Sequence, residues 1–578
     1  MSTRIGFPFA ALSPALWADT RSVVRVALLI AVALIVLYPL SLLVQSSFLL
    51  NAPGQPASYG LSGWQSALTQ PGILEAMTNT FTLTAARVGF ALLISVPIAW
   101  ALARTDIPCA DWLEFGFWIG FFLPALPVVL GWIVVFDPEF GLANVMIVKL
   151  FGVDKGPFNI YSWWGIVWAH VTTVLVAVMV MLLTPGFRNL DLALDEASRM
   201  SGASAAETAL RITAPLAAPA VLLAVLFTTI RLLESFEVEL ILGLPSRLDV
   251  FSTKIYRLIV ADQPPQFAPG SALGVLVLVA IIPFAVLYNR FVVRKSYATI
   301  SGKYRGGRVR LGAWRWPAFA LVLLAVLVGT VLPFGFVLLS SFMQLFGFFG
   351  IEGAWTFDHW RTVFSDAQFF ASLKNTFIIA GGSAAISVAG FSVLAYYIVR
   401  TRGAAARALD ILTWIPFMLP GILLSLALFW MFLRVPLLTP LFGTHAALIL
   451  AMALANMTLG VQLLKTVLVQ IGNELEESSW MSGAAWWYTY TRVIVPLTAP
   501  ALITVALISF ASSARNVSHI ILLGTGSTRP LSLLQLDYMM DGRYEVAAVV
   551  GVITILVTVL VAIVLRRFGT FADSRGRA

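Results

Sequence analysis

Glu196-Ala197-Ser198-Arg199-Met200-Ser201-Gly202 occurs in this chain a second time, as Glu477-Ser478-Ser479-Trp480-Met481-Ser482-Gly483, 281 residues later. At the same offset Arg211, Pro215, Leu216 and Pro219 return as Arg492, Pro496, Leu497 and Pro500. A block repeated at a fixed distance marks a repeated structural unit, and the unit constrains the architecture before any helix is assigned. The match continues upstream. Trp64 with Asn79-Thr80-Phe81 returns as Trp360 with Asn375-Thr376-Phe377, Arg104-Thr105 as Arg400-Thr401, and Leu123-Pro124 as Leu419-Pro420, each 296 residues on. Pro39 with Ser46-Ser47-Phe48 returns as Pro333 with Ser340-Ser341-Phe342 at 294. The offset shortens by 15 between Leu123 and Glu196. The first copy therefore carries an insertion, and the turn-rich residues 137–162 are its place.

What lies between these landmarks is apolar. Of 578 residues 59% are hydrophobic and 11% charged, against about 25% charged in a soluble domain. A soluble enzyme is excluded. Uncharged runs such as Val26–Leu49, Phe115–Phe136, Gly156–Pro185, Trp316–Ile351, Asn375–Val399, Ile411–Leu433 and Val546–Leu565 each reach the roughly 20 residues that cross a bilayer. With the runs around 76–103, 213–244, 272–289, 445–470 and 497–523 there are twelve candidates, six in each copy. Six is even, so the copies share one orientation and are parallel repeats. The expected fold class is an all-α membrane protein: twelve transmembrane helices as two parallel six-helix repeats. Residues 20–292 form the first unit and 316–570 the second. The stretch 293–315 joins them.

The net charge of +9 does not point to nucleic acid. Placing both termini in the cytoplasm puts most Lys and Arg on that side, as the positive-inside rule requires. The densest patch is the 293–315 linker, from Arg294 to Arg315, which suits an anionic lipid surface. Cys109 is the single cysteine, so no intramolecular disulfide forms. The first span has no small-residue cleavage site and reads as a retained helix.

Both copies of the opening block fall between spans four and five of their unit, on the cytoplasmic side. The residues predict a short surface helix, a turn at Gly202 or Gly483, and a return helix entering the bilayer with Pro215 or Pro496 in its first turn. These blocks resemble the signature loop of binding-protein-dependent ABC importer permeases, which reads Glu-Ala-Ala, three residues, Gly, then about nine residues to an apolar stretch ending in Pro. Here the copies are Glu196-Ala197-Ser198 to Gly202 and Pro215, and Glu477-Ser478-Ser479 to Gly483 and Pro496; Ser replaces the last Ala in both, and the second copy loses the other Ala too. The resemblance covers roughly residues 20–570 and implies the type I importer permease fold, here fused in tandem. It implies that the loops are coupling helices seated in a cytoplasmic ATPase dimer and that a periplasmic binding protein delivers the solute. It places the chain in the bacterial inner membrane. Fused permeases are most similar to the iron(III)-type importers; polyamine, thiamine and phosphonate permeases stay open, and an ion-coupled secondary transporter is the alternative from another class.

No catalytic or metal-binding residues and no cofactor are expected. Ser301-Gly302-Lys303-Tyr304 lacks the first glycine and the hydroxyl of a phosphate loop, so ATP must be hydrolysed by another chain. Charges at membrane depth are costly and mark function. Arg231, Glu234, Glu237 and Glu239 cluster at the outer end of span five. Arg231, Glu234 and Glu237 can share one helical face, with Glu237 and Glu239 open to external water in the plainer reading. The 281 offset sets Arg515 opposite Glu234 and predicts an ion pair across the two units; Arg231 is the competing partner. Asn516 and His519 join Glu234, Glu237 and Arg515 as pathway candidates. Arg87 is expected to pair inside the bundle or to snorkel, and His170 to hydrogen-bond a neighbouring helix.

Overall fold

The computed structural model describes residues 14–51, 55–288, 309–401 and 403–575. Ten of its helices are long and apolar enough to cross a membrane, and two further helix pairs are each bent sharply at one break. Counting each bent pair as one span, the first half runs Val26–Ser46, Ile73–Arg104, the pair Ala110–Phe122 and Ala125–Phe136, Trp163–Arg188, Ala209–Leu233 and Phe267–Phe284. The second half runs Gly312–Ser340, Ala367–Arg400, the pair Ala404–Met418 and Gly421–Arg434, His445–Gln470, Trp486–Arg515 and Tyr544–Val564. The six-plus-six reading holds.

The bent spans differ from the straight runs read at Phe115–Phe136 and Ile411–Leu433. The chain turns by 102° in the first half and by 111° in the second. The cause is the repeated Leu-Pro pair. A residue before proline is pushed out of the helical region, and Leu123 and Leu419 are extended, with ψ of 132° and 120°. Pro124 and Pro420 then start the second limbs, where their missing N–H costs nothing.

The repeat is visible bond by bond. The Trp64 indole donates to Ser47 Oγ at 3.1 Å, and Trp360 donates to Ser341 Oγ at 3.2 Å. Thr80 Oγ1 accepts from the Phe251 backbone, and Thr376 Oγ1 from that of Leu531. The halves also exchange their first spans. Pro14–Ser46 packs on Gly421–Arg434 of the second half, and Leu332–Ser340 packs on Ala125–Phe136 of the first. Gly131 permits the second contact, since a Cβ there would lie 2.5 Å from the Pro333 carbonyl oxygen.

Two further expectations concern connections. The insertion sits in 137–162, where it forms the helix Leu142–Phe151, latched by the buried Asn144 to the backbone of Asp137 and Phe158. Residues 289–308, which hold most of the basic linker, lie outside the described residues. The linker's described end bonds beside the end of span two: the Val309 N–H to the Arg104 carbonyl at 2.7 Å, and the Leu311 N–H to Asp106 at 2.8 Å.

Candidate functional site: paired loops and a cavity between the halves

Each loop is a helix, a glycine turn and a returning helix. Leu192–Met200 precedes Gly202 and Glu474–Met481 precedes Gly483. Both glycines have left-handed backbone, with φ of +86° and +82°, a conformation that disfavours any residue with a Cβ. The Ala203 N–H reaches back to the Ser198 carbonyl, and that of Ala484 to Ser479. The third residue of each triplet has a matching partner: Ser198 Oγ and Thr208 Oγ1 are 2.9 Å apart, as are Ser479 Oγ and Thr489 Oγ1. Serine at this position thus ties the two arms of the loop together. Glu196, Ala197, Glu477 and Ser478 are exposed.

The returning helix begins earlier than the sequence suggested. It starts at Ala205 and at Trp486 and passes through π turns, Ala209–Thr213 and Tyr490–Ile494, before reaching Pro215 and Pro496. The prolines are therefore not in the first turn. The π turn lengthens the local hydrogen-bond ladder immediately before each proline, the kind of adjustment that lets a helix continue past a missing donor.

Three features of the loops were not assigned from sequence. Met200 and Met481 are the most exposed large apolar residues among the described ones, at 89% and 90%; their recurrence in the repeat was the available signal. Arg104 and Arg400 anchor the loops from the ends of span two. Arg104 donates to the Leu190 carbonyl, and Arg400 to that of Ile471 and to the buried Glu476 at 2.6 Å. Their repetition at 296 was the available signal. Finally, the first loop carries a capping box, in which Glu207 accepts from the N–H and hydroxyl of Ser204. Those bonds hold its carboxyl below the usual range. The second loop uses aromatic packing instead, with Trp486 stacked on Tyr490.

A cavity of about 680 Å³ lies between the halves. Its lining includes all five pathway candidates: Glu234, Glu237, Arg515, Asn516 and His519. It reaches Leu182 and Thr466, near the loop-bearing ends of Trp163–Arg188 and His445–Gln470. Arg231 and Arg515 lie in the last turns of Ala214–Leu233 and Val495–Arg515, so the charged cluster sits at the cavity end away from the loops.

Within that cluster the pairing differs from the expected one. Glu234 is bonded to Arg231 at 2.5 Å, and Arg515 donates to the carbonyls of Phe121, at 2.5 Å, and Leu123, at 3.2 Å. The competing local pair forms because Arg231 and Glu234 sit one turn apart at the helix end. Nor do Arg231, Glu234 and Glu237 share one helical face. The helix stops at Leu233, and Glu237 opens a separate helix, Glu237–Gly243. Glu237 instead accepts the Ser518 N–H of the other half at 3.3 Å. Glu239, read as facing external water, is buried against Arg87, with His170 Nε2 at 3.1 Å. His519 Nδ1 is 3.1 Å from Asn516 Oδ1.

Residues 368–574 match the family described as "binding-protein-dependent transport system inner membrane component". That segment belongs to this family. Beyond it, the chain is 28% identical over 416 residues to the ferric transport system permease protein FbpB of Actinobacillus pleuropneumoniae, a match covering 70% of this chain and 58% of that protein. It is 26% identical over 488 residues to the putative ferric transport system permease protein FbpB 1 of Haemophilus influenzae, covering 80% of this chain and 72% of that one. A solved bacterial alginate ABC transporter, in complex with a pentasaccharide-bound periplasmic protein, aligns with 48% of this chain and 96% of its own at 20% identity and a TM-score of 0.40. The similarity to permeases thus spans both halves, while the family match itself falls within the second.

Proposed function

We propose that the chain is the complete transmembrane pathway of an ATP-driven importer, two permease domains (20–292 and 316–570) joined by the linker 293–315. The observation that carries this is the duplicated loop with duplicated bonding. Both loops turn on a left-handed glycine, both tie their arms with a Ser–Thr bond, and both present a bare methionine. Two like protrusions on one side of two parallel repeats suit a partner that is itself a dimer. In this reading Glu196, Ala197, Ser198, Gly202 and Pro215, with Glu477, Ser478, Ser479, Gly483 and Pro496, shape the seats for a cytoplasmic ATPase dimer. A periplasmic binding protein hands solute to the cavity. The membrane is the bacterial inner membrane, with both termini in the cytoplasm.

The solute we assign is iron(III). The two ferric permeases quoted above support that choice, and Glu234 and Glu237 supply hard oxygen donors of the type such a cation takes. The test is reconstitution of this chain in vesicles with the ATPase and binding protein encoded beside it. ATP-dependent accumulation of radiolabelled iron(III) is expected. Accumulation of a polyamine or thiamine with no iron would overturn the solute and leave the machinery. Uptake driven by an ion gradient without ATP would overturn the machinery.

A further inference from the structure

Phe121 and Phe417 are equivalent at the 296 offset, and each precedes its Leu-Pro break, Pro124 or Pro420, by three residues. Each carries a guanidinium from the opposite half. Arg515 lies 5.3 Å from the Phe121 ring centre, and Arg231 lies 4.8 Å from that of Phe417. A cation over an aromatic face is held by the ring quadrupole, most strongly where water is excluded. The contact is therefore duplicated with the same target in both halves.

The arginines themselves are not duplicated. At the 281 offset Arg515 aligns with Glu234, and Arg231 aligns with Ser512. Arg231 sits one turn nearer the loops on its helix, yet it arrives over the equivalent ring. A repeat inherited without selection would keep the arginines in register or lose one of them. Two unmatched arginines reaching two matched rings indicate a shared task at the bends.

Each arginine is also held in a way that suits its half. The break after Phe122 leaves carbonyls at the end of the first limb, and Arg515 donates to two of them, Phe121 and Leu123. In the second half the limb ends in a tight turn, Ile415–Met418, where the Leu419 N–H bonds the Pro416 carbonyl. Arg231 is steadied by Glu234 instead. Glu234 thus occupies the place of the second half's arginine and holds the first half's own.

We propose that Arg231 and Arg515 are the two latches of one gate, each crossing the half interface to grip the bend of the opposite half and close the cavity at the end away from the loops. This rests on reading the cavity as the pathway. The bends are where a rigid limb can swing, and the latches bind limb to limb across the interface. Opening requires both guanidiniums to leave their rings. The two are then positioning residues whose loss opens the far end of the cavity.

The test reads access to the cavity from the side opposite the loops. Ser512→Cys, in a chain carrying Cys109→Ser and co-expressed with its ATPase, is the reporter; Ser512 lines the cavity one turn below Arg515. An impermeant maleimide is applied to sealed vesicles from that side. Labelling is expected to be slow with both arginines and at least about thirtyfold faster in Arg231→Gln/Arg515→Gln, the scale of one lost desolvated cation–π contact, with each single substitution between. Unchanged labelling in a double variant that still co-purifies with the ATPase overturns the gate. If that variant does not accumulate, Phe121→Leu/Phe417→Leu takes its place; it keeps both guanidiniums and the backbone bonds of Arg515, and unchanged labelling there also overturns the proposal. The pathway reading fails separately: a Ser512→Cys chain fully blocked from the loop side that still transports at the unblocked rate removes the pathway and leaves the labelling result intact.

Discussion

Glu239 is a carboxylate enclosed by protein. Arg87, Ser235 and His170 surround it, and both Glu239 and Arg87 are fully buried. Removing one partner of such a pair leaves a bare charge in a low-dielectric interior, which costs about 3–5 kcal/mol. Glu239→Gln is therefore expected to lower the melting temperature of the purified protein markedly. Replacing both residues by apolar ones, Arg87→Met with Glu239→Leu, is expected to recover most of the loss. A Glu239→Gln protein as stable as the parent would show that the pair carries little. The second half has a neutral counterpart, in which Asn456 bonds Ser513 and Ser513 bonds Ser383. Ser383 is the repeat of Arg87 at the 296 offset, so the two halves fill equivalent depth with different chemistry.

The Arg231–Glu234 pair is testable at the same scale. Residues in contact show coupling of about 0.5–3 kcal/mol in a double-mutant cycle, and residues without a shared partner add. Coupling is expected between 231 and 234, with additivity between 234 and 515. Chemical or thermal unfolding of the Gln single and double variants measures both. Strong coupling between 234 and 515 would restore the cross-half pair that the repeat arithmetic alone suggested. That arithmetic placed both residues at one cavity, where they are, but it could not see the end of the helix at Leu233. A charge cluster can be read from a sequence; who holds whom depends on the turn that follows.

Among elements, the proposed function turns on the loops and the shape on the bends. Gly202→Val and Gly483→Val place a β-branched residue at positive φ, which L side chains rarely adopt. A Cβ at either position meets nothing within 4 Å, so the strain is in the backbone alone and the spans should still insert. The double variant is expected to reach the membrane and lose its ATPase in co-purification. Met200→Ser with Met481→Ser should weaken the same assembly without touching the backbone. Retention of the ATPase by both variants would remove the loops from the interface. The loops were legible because their glycines, prolines and acids recur at one spacing. The bends were not, although Leu123-Pro124 and Leu419-Pro420 had been matched. A proline inside an apolar run is compatible with a kinked span or a broken one, and only the packing of the second limb chooses between them.

At the scale of the whole molecule, the chain is one repeat used twice, with the first spans exchanged. Composition and periodicity suffice for the twelve crossings, since a bilayer demands length and apolarity of each helix alone. They do not reveal the exchange, because lipid-facing and partner-facing apolar surfaces read alike. Yet the exchange constrains how the halves can exist. Pro14–Ser46 finds its packing on Gly421–Arg434, and Leu332–Ser340 on Ala125–Phe136, with Gly131 admitting the Pro333 backbone. Neither half completes its own bundle, and the cavity has walls from both. If the interface itself holds the halves together, the proposed linker need only raise the local concentration of one half around the other. Expressed as separate chains cut within 293–308, the halves are expected to co-purify one to one and to bind the ATPase as the intact chain does. Gly131→Leu should abolish that association, since it blocks the approach of Pro333, while each half still inserts. Halves that accumulate stably and migrate alone would show that the linker, and not the exchanged spans, joins the two repeats.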